Sequence, residues 1–277
     1  MPNPSRLTAA NTSFPLVAAG SGSPILFVHG SWADLRIWCG LWERIAEKHE
    51  FLAITQRHFG CDDWPKTKPF SRDVHTNDLI ALVKALDKPV HLVGWSYAGG
   101  ILLRTAAEVP EMIRSIAIYE PSFESEAPPV EGELRCAREA FWAELEPAYV
   151  LAQSGNLDSA MRSGVEIVFG LEKGGFESLD SRFQRVFLDN AHTMIPDLEA
   201  AAPKPLTEAE LEKVTCPALI IYGERTYAQY RLMADSTIES LPNALARQIA
   251  DVGHGGPVQV PDLFADEVLS FVAAASA

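Results

Sequence analysis

Short apolar runs alternate with longer amphipathic stretches through the first part of the chain. Pro24 to Val28, Phe51 to Thr55, Pro89 to Val93 and Ser115 to Tyr119 are rich in branched and aromatic side chains with almost no polar interruption. That is the pattern of strands buried on both faces. Between them, Asp73 to Leu86 places Val74, Leu79, Leu82, Val83 and Leu86 near helical spacing, and Ile101 to Val109 predicts a second helix. Strands separated by helices predict an α/β fold: a mainly parallel sheet with helices on both faces.

After Pro121 the pattern changes. The run SFESEAPPVEGE is acidic and contains adjacent prolines, so it cannot be a central strand. From about Glu133 to about Glu199 the periodicity is helical, over Leu134 to Val150, Asn156 to Phe169 and Ser181 to Thr193, with a break at Lys173-Gly174-Gly175. Strand character returns at Pro217 to Tyr222, followed by a helix through Leu241, a short strand around Ala246 to Ala250 and a last helix from Pro261 to Ala274. The expected organisation is a core domain of residues 1–121 and 215–277, with residues 122–214 inserted as a helical cap. A block inserted there lies over the carboxyl ends of the strands, where open α/β sheets bind ligands.

Composition narrows the function classes. The chain has 277 residues, 47% of them hydrophobic and 22% charged, as expected of a globular protein with a substantial core. A formal net charge of -14 opposes nucleic acid and anionic membrane surfaces, because both are held by clustered Lys and Arg. No apolar stretch approaches the roughly 20 residues of a spanning helix, so a membrane partner is not expected. The opening MPNPSRLTAANTSFP lacks a basic region followed by an apolar one, which predicts a cytoplasmic protein. Cys39, Cys61, Cys136 and Cys216 are scattered without metal-ligand spacing and read as buried thiols.

The sharpest chemical signal is His91-Leu-Val-Gly94-Trp-Ser96-Tyr-Ala98-Gly99-Gly100, a strand entering a turn of small residues and then a helix. Such an elbow exposes a serine hydroxyl on a strained turn, and flanking small residues let strand and helix approach. Ala98 stands where glycine is usual, and it still excludes bulk. A phosphate-binding turn is the competing reading, but neither a Walker lysine nor G-x-G-x-x-G is present. A serine hydroxyl needs an imidazole base, and His254, in Asp251-Val-Gly253-His254-Gly255-Gly256, lies in a loop between the last strand and last helix. Its place after Ser96 in the chain agrees with the order nucleophile, acid, histidine.

These motifs make the chain similar to the α/β-hydrolase superfamily over nearly its whole length. His29-Gly30-Ser31-Trp32 resembles the family's His-Gly loop after the third strand, and Arg57 with Gly60 resembles a degraded form of the Arg-Gly loop after the fourth. The resemblance implies an oxyanion hole from the backbone N–H groups of Tyr97 and Ser31, each donor worth roughly 3 to 4 kcal/mol at the transition state. Many members carry an aspartate in a Gly-x-x-Asp run after the penultimate strand, where this chain has Gly223-Glu224-Arg225-Thr226. Another branch, including haloalkane dehalogenases and zearalenone-type lactone hydrolases, places the acid at the end of the preceding strand. That branch implies Glu120, with Glu224 and then Asp251 as fallbacks.

Trp32, Phe123, Trp142, Phe187 and His192 are the expected substrate contacts. The expected activity is cleavage of a small to medium apolar ester or lactone through an acyl-enzyme, with no cofactor or metal and with a homodimer left open. A ligand receptor on the same fold, a carbon-carbon bond hydrolase and a perhydrolase are the alternatives.

Overall fold

The computed structural model describes residues 1–65, 67–123 and 131–276. Its strands are β1 (Ser5–Ala9), β2 (Thr12–Ala19), β3 (Pro24–Val28), β4 (Glu50–Ile54), β5 (Val90–Trp95), β6 (Ile113–Tyr119), β7 (Ala218–Gly223) and β8 (Ala244–Ile249). Its α-helices are α1 (Trp42–Ala46), α2 (Arg72–Ala85), α3 (Ala98–Glu108), α4 (Glu131–Gln153), α5 (Leu157–Phe169), α6 (Ser181–Asp189), α7 (Met194–Glu199), α8 (Glu208–Leu211), α9 (Ala228–Ser240), α10 (Gly256–Gln259) and α11 (Pro261–Ala275). The strands form one sheet in the order β1-β2-β4-β3-β5-β6-β7-β8. Pairing is antiparallel from β1 to β2 and from β2 to β4, and parallel thereafter.

The fully buried central strands explain the unbroken apolar runs. Along β3, Ile25 and Phe27 enter the core on one side of the sheet while Leu26 and Val28 enter the core on the other, the period-two consequence of the pleat. Asp34 caps the helical turn after β3 by accepting from the Arg36 backbone N–H at 2.9 Å. Ser71 caps α2 by accepting from the Asp73 N–H. Arg57 pairs with Asp78 through Nε to Oδ2 at 2.6 Å and Nη2 to Oδ1 at 2.8 Å. Both side chains are buried, so the arginine of the loop after β4 ties that loop to α2.

The mainly parallel α/β architecture read from the pattern is the observed one, with most strand limits within two residues. The antiparallel hairpin of β1 and β2 is an addition. Its two-residue turn, Ala10 and Asn11 at φ 47 and 59, has the double positive φ of a tight hairpin, but β1 is largely exposed and lacks apolar alternation. The cysteines require a correction: Cys61 and Cys136 are exposed and Cys39 and Cys216 half-buried, so they are not core thiols. Cys61 sits in the loop after β4 and Cys136 on an exposed side of α4, positions that apolar patterning does not distinguish.

Between β6 and β7 the described residues form α4 to α8 and contribute no strand to the sheet. Residues 124–130, most of the acidic run taken as the boundary, lie outside the described residues. A polar network ties this insertion to the loops above β3 and β4. Asn190 donates through Nδ2 to Asp34 Oδ2 at 2.7 Å and accepts from the Gly60 N–H at 2.6 Å. Arg36 bridges Asp34 and Asp189. Burial opposes charge on Asp34, yet the Arg36 guanidinium, with Asn190, holds its carboxyl below the usual range. Among the described residues no helix is long and apolar enough to cross a membrane.

Candidate active site

Ser96 joins β5 to α3 with φ 52, a left-handed conformation that costs a non-glycine residue roughly 1 to 3 kcal/mol. The surroundings hold it there. Its N–H donates to Tyr119 O at 2.9 Å, and its carbonyl accepts from Gly99 at 2.8 Å and Ser122 at 3.0 Å. The small residues of the motif have steric reasons: a Cβ at Gly94 would lie 2.7 Å from Leu102, and one at Gly99 would lie 2.7 Å from the Pro121 backbone. Gly30 is packed less tightly but still closely, since a Cβ there would stand 3.5 Å from that of Ser96 and 3.2 Å from the Trp95 carbonyl. The absence of a side chain at Gly30 therefore lets the His-Gly loop lie against the Trp95 carbonyl and the Ser96 side chain.

Glu120 directly follows β6, also left-handed at φ 45 and completely buried. Three donors converge on its carboxylate: the Gly223 N–H to Oε1 at 2.8 Å, Thr226 Oγ1 to Oε2 at 2.8 Å, and His254 Nδ1 to Oε2 at 2.6 Å. Glu224 and Asp251 do not meet the histidine. Glu224 accepts from the Asp251 N–H, and Asp251 is paired with Arg225 on an exposed part of the surface. Thr226, at the position where the commoner pattern has aspartate, instead donates to the glutamate one strand over.

His254 is buried in the loop between β8 and α10. Trp95 Nε1 donates to its carbonyl at 3.0 Å, and Tyr119 Oη donates to the Gly253 carbonyl at 2.6 Å, so the loop is clamped by two residues flanking the serine turn and the glutamate. The Tyr230 ring stacks on the imidazole, centroids 3.8 Å apart and planes 13° apart. Ser96 and His254 line one cavity of about 140 Å³, close to the roughly 150 Å³ that a benzene-sized ligand fills. Trp32, Phe141, Leu145, Tyr149, Val168 and Phe187 supply much of its apolar wall.

Tyr97 directly precedes α3, where backbone N–H groups lack intrahelical partners, and Ser31 lines the cavity from the loop after β3. The buried Tyr97 hydroxyl shares a hydrogen bond with His75 Nδ1 at 2.7 Å. Burial drives the Tyr97 hydroxyl well above its usual pKa and the His75 imidazole well below its own, so both are neutral. His29 is structural: Nε2 accepts from the Gln56 N–H at 3.0 Å, and burial lowers its pKa to about 4.

Of the expected substrate contacts, Trp32 and Phe187 line the cavity, and three do not. Trp142 is 41% exposed and packs against Tyr149 from outside. His192 is exposed, bridging the carbonyls of Asp189 and His58. Phe123 is buried beside a separate small cleft lined by Arg104 and Lys204. Sequence reasoning missed Thr226, Tyr230, Arg72 and Asp197. Only Thr226 left a signal, as the residue displacing the usual acid.

The sequence profile described as the Alpha/beta hydrolase family matches residues 25–267, and the chain belongs to that family. Hydrolase is the class of activity that this membership supports. Among curated proteins, the chain is 28% identical over 116 residues to 2-hydroxymuconate semialdehyde hydrolase of Pseudomonas sp. (strain CF600), a match spanning 40% of this chain and 41% of that protein. It is 26% identical over 211 residues to 2-(acetamidomethylene)succinate hydrolase of Mesorhizobium japonicum, 74% of this chain and 72% of that protein. Among solved structures, the enol-lactonase from Burkholderia xenovorans superposes with TM-score 0.75 at 18% identity, covering 97% of this chain and 100% of that one. Naproxen esterase from Bacillus subtilis superposes with TM-score 0.75 at 16% identity, covering 98% and 91%. At these identities the structural likeness speaks for the fold.

Proposed function

We propose that the protein is a serine hydrolase of small carboxylic esters or lactones, with Ser96 as nucleophile, His254 as general base and Glu120 as the acid that orients it. The observation that carries this reading is the buried Glu120 to His254 hydrogen bond of 2.6 Å beside a cavity that His254 shares with the strained Ser96 turn. With Nδ1 engaged by Glu120, Nε2 is the nitrogen left for proton transfer. His254 takes the hydroxyl proton as Ser96 Oγ bonds to the carbonyl carbon, and Glu120 stabilises the imidazolium. The backbone N–H groups of Tyr97 and Ser31 receive the developing oxyanion. Collapse breaks the carbon–oxygen bond, and the departing alkoxide takes the proton from His254. Water, deprotonated by the same histidine, then releases the acid. In a lactone the alcohol stays tethered to the acyl group.

In this reading α4 to α7 act as a cap: Tyr149, Val165, Phe169 and Phe187 come from them and shape the cavity. A second reading, hydrolysis of a carbon–carbon bond by the same residues, is favoured by the match to 2-hydroxymuconate semialdehyde hydrolase. The first test is intact mass after exposure to a small serine-reactive organophosphate, with peptide mapping. One adduct on Ser96 is the expected result. No adduct, while a control hydrolase is labelled, would overturn the serine hydrolase reading. Parallel turnover of small esters, lactones and vinylogous diketones then separates the two bond classes.

A further inference from the structure

One carboxyl lines an otherwise mainly apolar cavity. Asp197, from α7, accepts from Ser31 Oγ through Oδ2 at 2.9 Å. Among the described residues, Oδ1 has no hydrogen-bond partner and no cation lies within ion-pair distance of Asp197, although the Arg72 charge acts on it through space. Arg72 also lines the cavity, but its Nη1 donates to the Ser122 carbonyl at 2.8 Å and its guanidinium lies 4.5 Å over the Tyr97 ring. It is committed to the wall.

Asp197 is half-buried, so Oδ1 is open to the cavity and is not sealed by packing, and packing does not require a carboxyl there, since leucine fills a similar volume. Burial raises the pKa of Asp197 above the ordinary aspartate value, against the lowering pull of the Arg72 charge and the Ser31 hydrogen bond. Its only side-chain partner among the described residues is Ser31, whose backbone N–H is the proposed oxyanion donor. A carboxylate there opposes the charge that develops in the transition state, and Arg72 together with a substrate group would offset it.

We infer that Asp197 reads the substrate: Oδ1 accepts a hydrogen bond from a hydroxyl or ammonium group carried near the scissile carbonyl. The inference rests on the hydrolase reading of the same cavity and narrows it to small hydroxy- or amino-substituted esters and lactones. Substrates with a carboxylate at that position are repelled.

The test uses methyl esters with a four-carbon acyl chain bearing hydrogen, hydroxyl, ammonium or carboxylate at carbon 2 or carbon 3, followed by acid release in a pH-stat. At one position the wild-type kcat/KM for the hydroxyl or ammonium ester is expected to exceed that of the unsubstituted ester by about 10- to 100-fold, with the carboxylate ester slowest. In Asp197→Leu the ratio is expected to fall to within about twofold of unity. Asp197→Asn, which keeps a neutral acceptor, is expected to retain a hydroxyl preference and lose the ammonium preference. Ratios unchanged in Asp197→Leu overturn the inference. If that variant does not fold, an unchanged ammonium-to-hydroxyl ratio in Asp197→Asn overturns it. Binding of the same esters to Ser96→Ala by calorimetry separates the two readings. Donor-selective, Asp197-dependent binding without wild-type turnover sustains the subsite and sinks the hydrolase. Turnover without donor selectivity does the reverse, and neither turnover nor binding sinks both.

Discussion

The two walls of the cavity are made by different means. The sheet supplies Ser96, Glu120 and His254 at the carboxyl ends of β5, β6 and β8, and backbone hydrogen bonds to neighbouring strands and loops fix each. The helical insertion supplies Tyr149, Val165, Val168, Phe169 and Phe187, held by packing, with Asp197 as its polar member. A strand end is placed by register, which substitution of a neighbouring side chain barely moves. A helical wall is placed by side-chain volume, which substitution changes directly. The proposed chemistry therefore sits on the part of the molecule that neighbouring substitutions disturb least, and substrate choice on the part they reshape most.

The largest expected effects lie on the sheet side. Ser96→Ala should lower kcat on the best ester by a factor on the order of 10⁶ with an unchanged circular dichroism spectrum. Glu120→Gln should cost on the order of 10⁴ in kcat, while Glu224→Gln stays within about twofold of wild type. Equal activity of the two glutamine variants would remove Glu120 from its proposed role. Thr226→Val deletes one of the three donors to Glu120 and should lower kcat about tenfold. Tyr230→Leu removes the ring stacked on His254, whose face attracts an imidazolium, and should cost roughly three- to tenfold in kcat with little change in KM.

A stability measurement sharpens the same contrast. His29, beneath the site, is neutral in the fold because burial lowers its pKa from 6.5 to about 4. The unfolded chain therefore binds more protons between those values. Stability is fully present above about pH 6.5, falls as pH drops towards 4, and loses nothing further from this group below that. The loss is on the order of 3 kcal/mol and should appear as a falling denaturation midpoint in urea titrations across that window. His29→Gln, if folded, should flatten the slope.

The α/β architecture was legible because its central strands are buried on both faces and read as unbroken apolar runs. Ser96 and His254 stood out because local glycines mark their turns. Glu120 was reached only through a family resemblance, since nothing near it in sequence distinguishes it from the acidic residues that follow. Tyr230, Asp197 and Arg72 left no local signature. Their place at the cavity comes from α9, α7 and α2 converging over the sheet, a long-range consequence of topology. Trp142 lies outside the cavity for the complementary reason: helical periodicity places an aromatic on α4 but does not say whether it points inward.

The strand that precedes the proposed base stands at the sheet's edge. β8 pairs on one side only, most of its residues are exposed, and Leu245 is 50% open to solvent. Segments with few buried contacts open first under thermal fluctuation, and fraying here would leave the His254 loop held only by its bonds to Trp95, Tyr119 and Glu120. On the proposed assignment, ester turnover is expected to be lost on heating before the sheet melts, which residual activity measured against the circular dichroism transition checks.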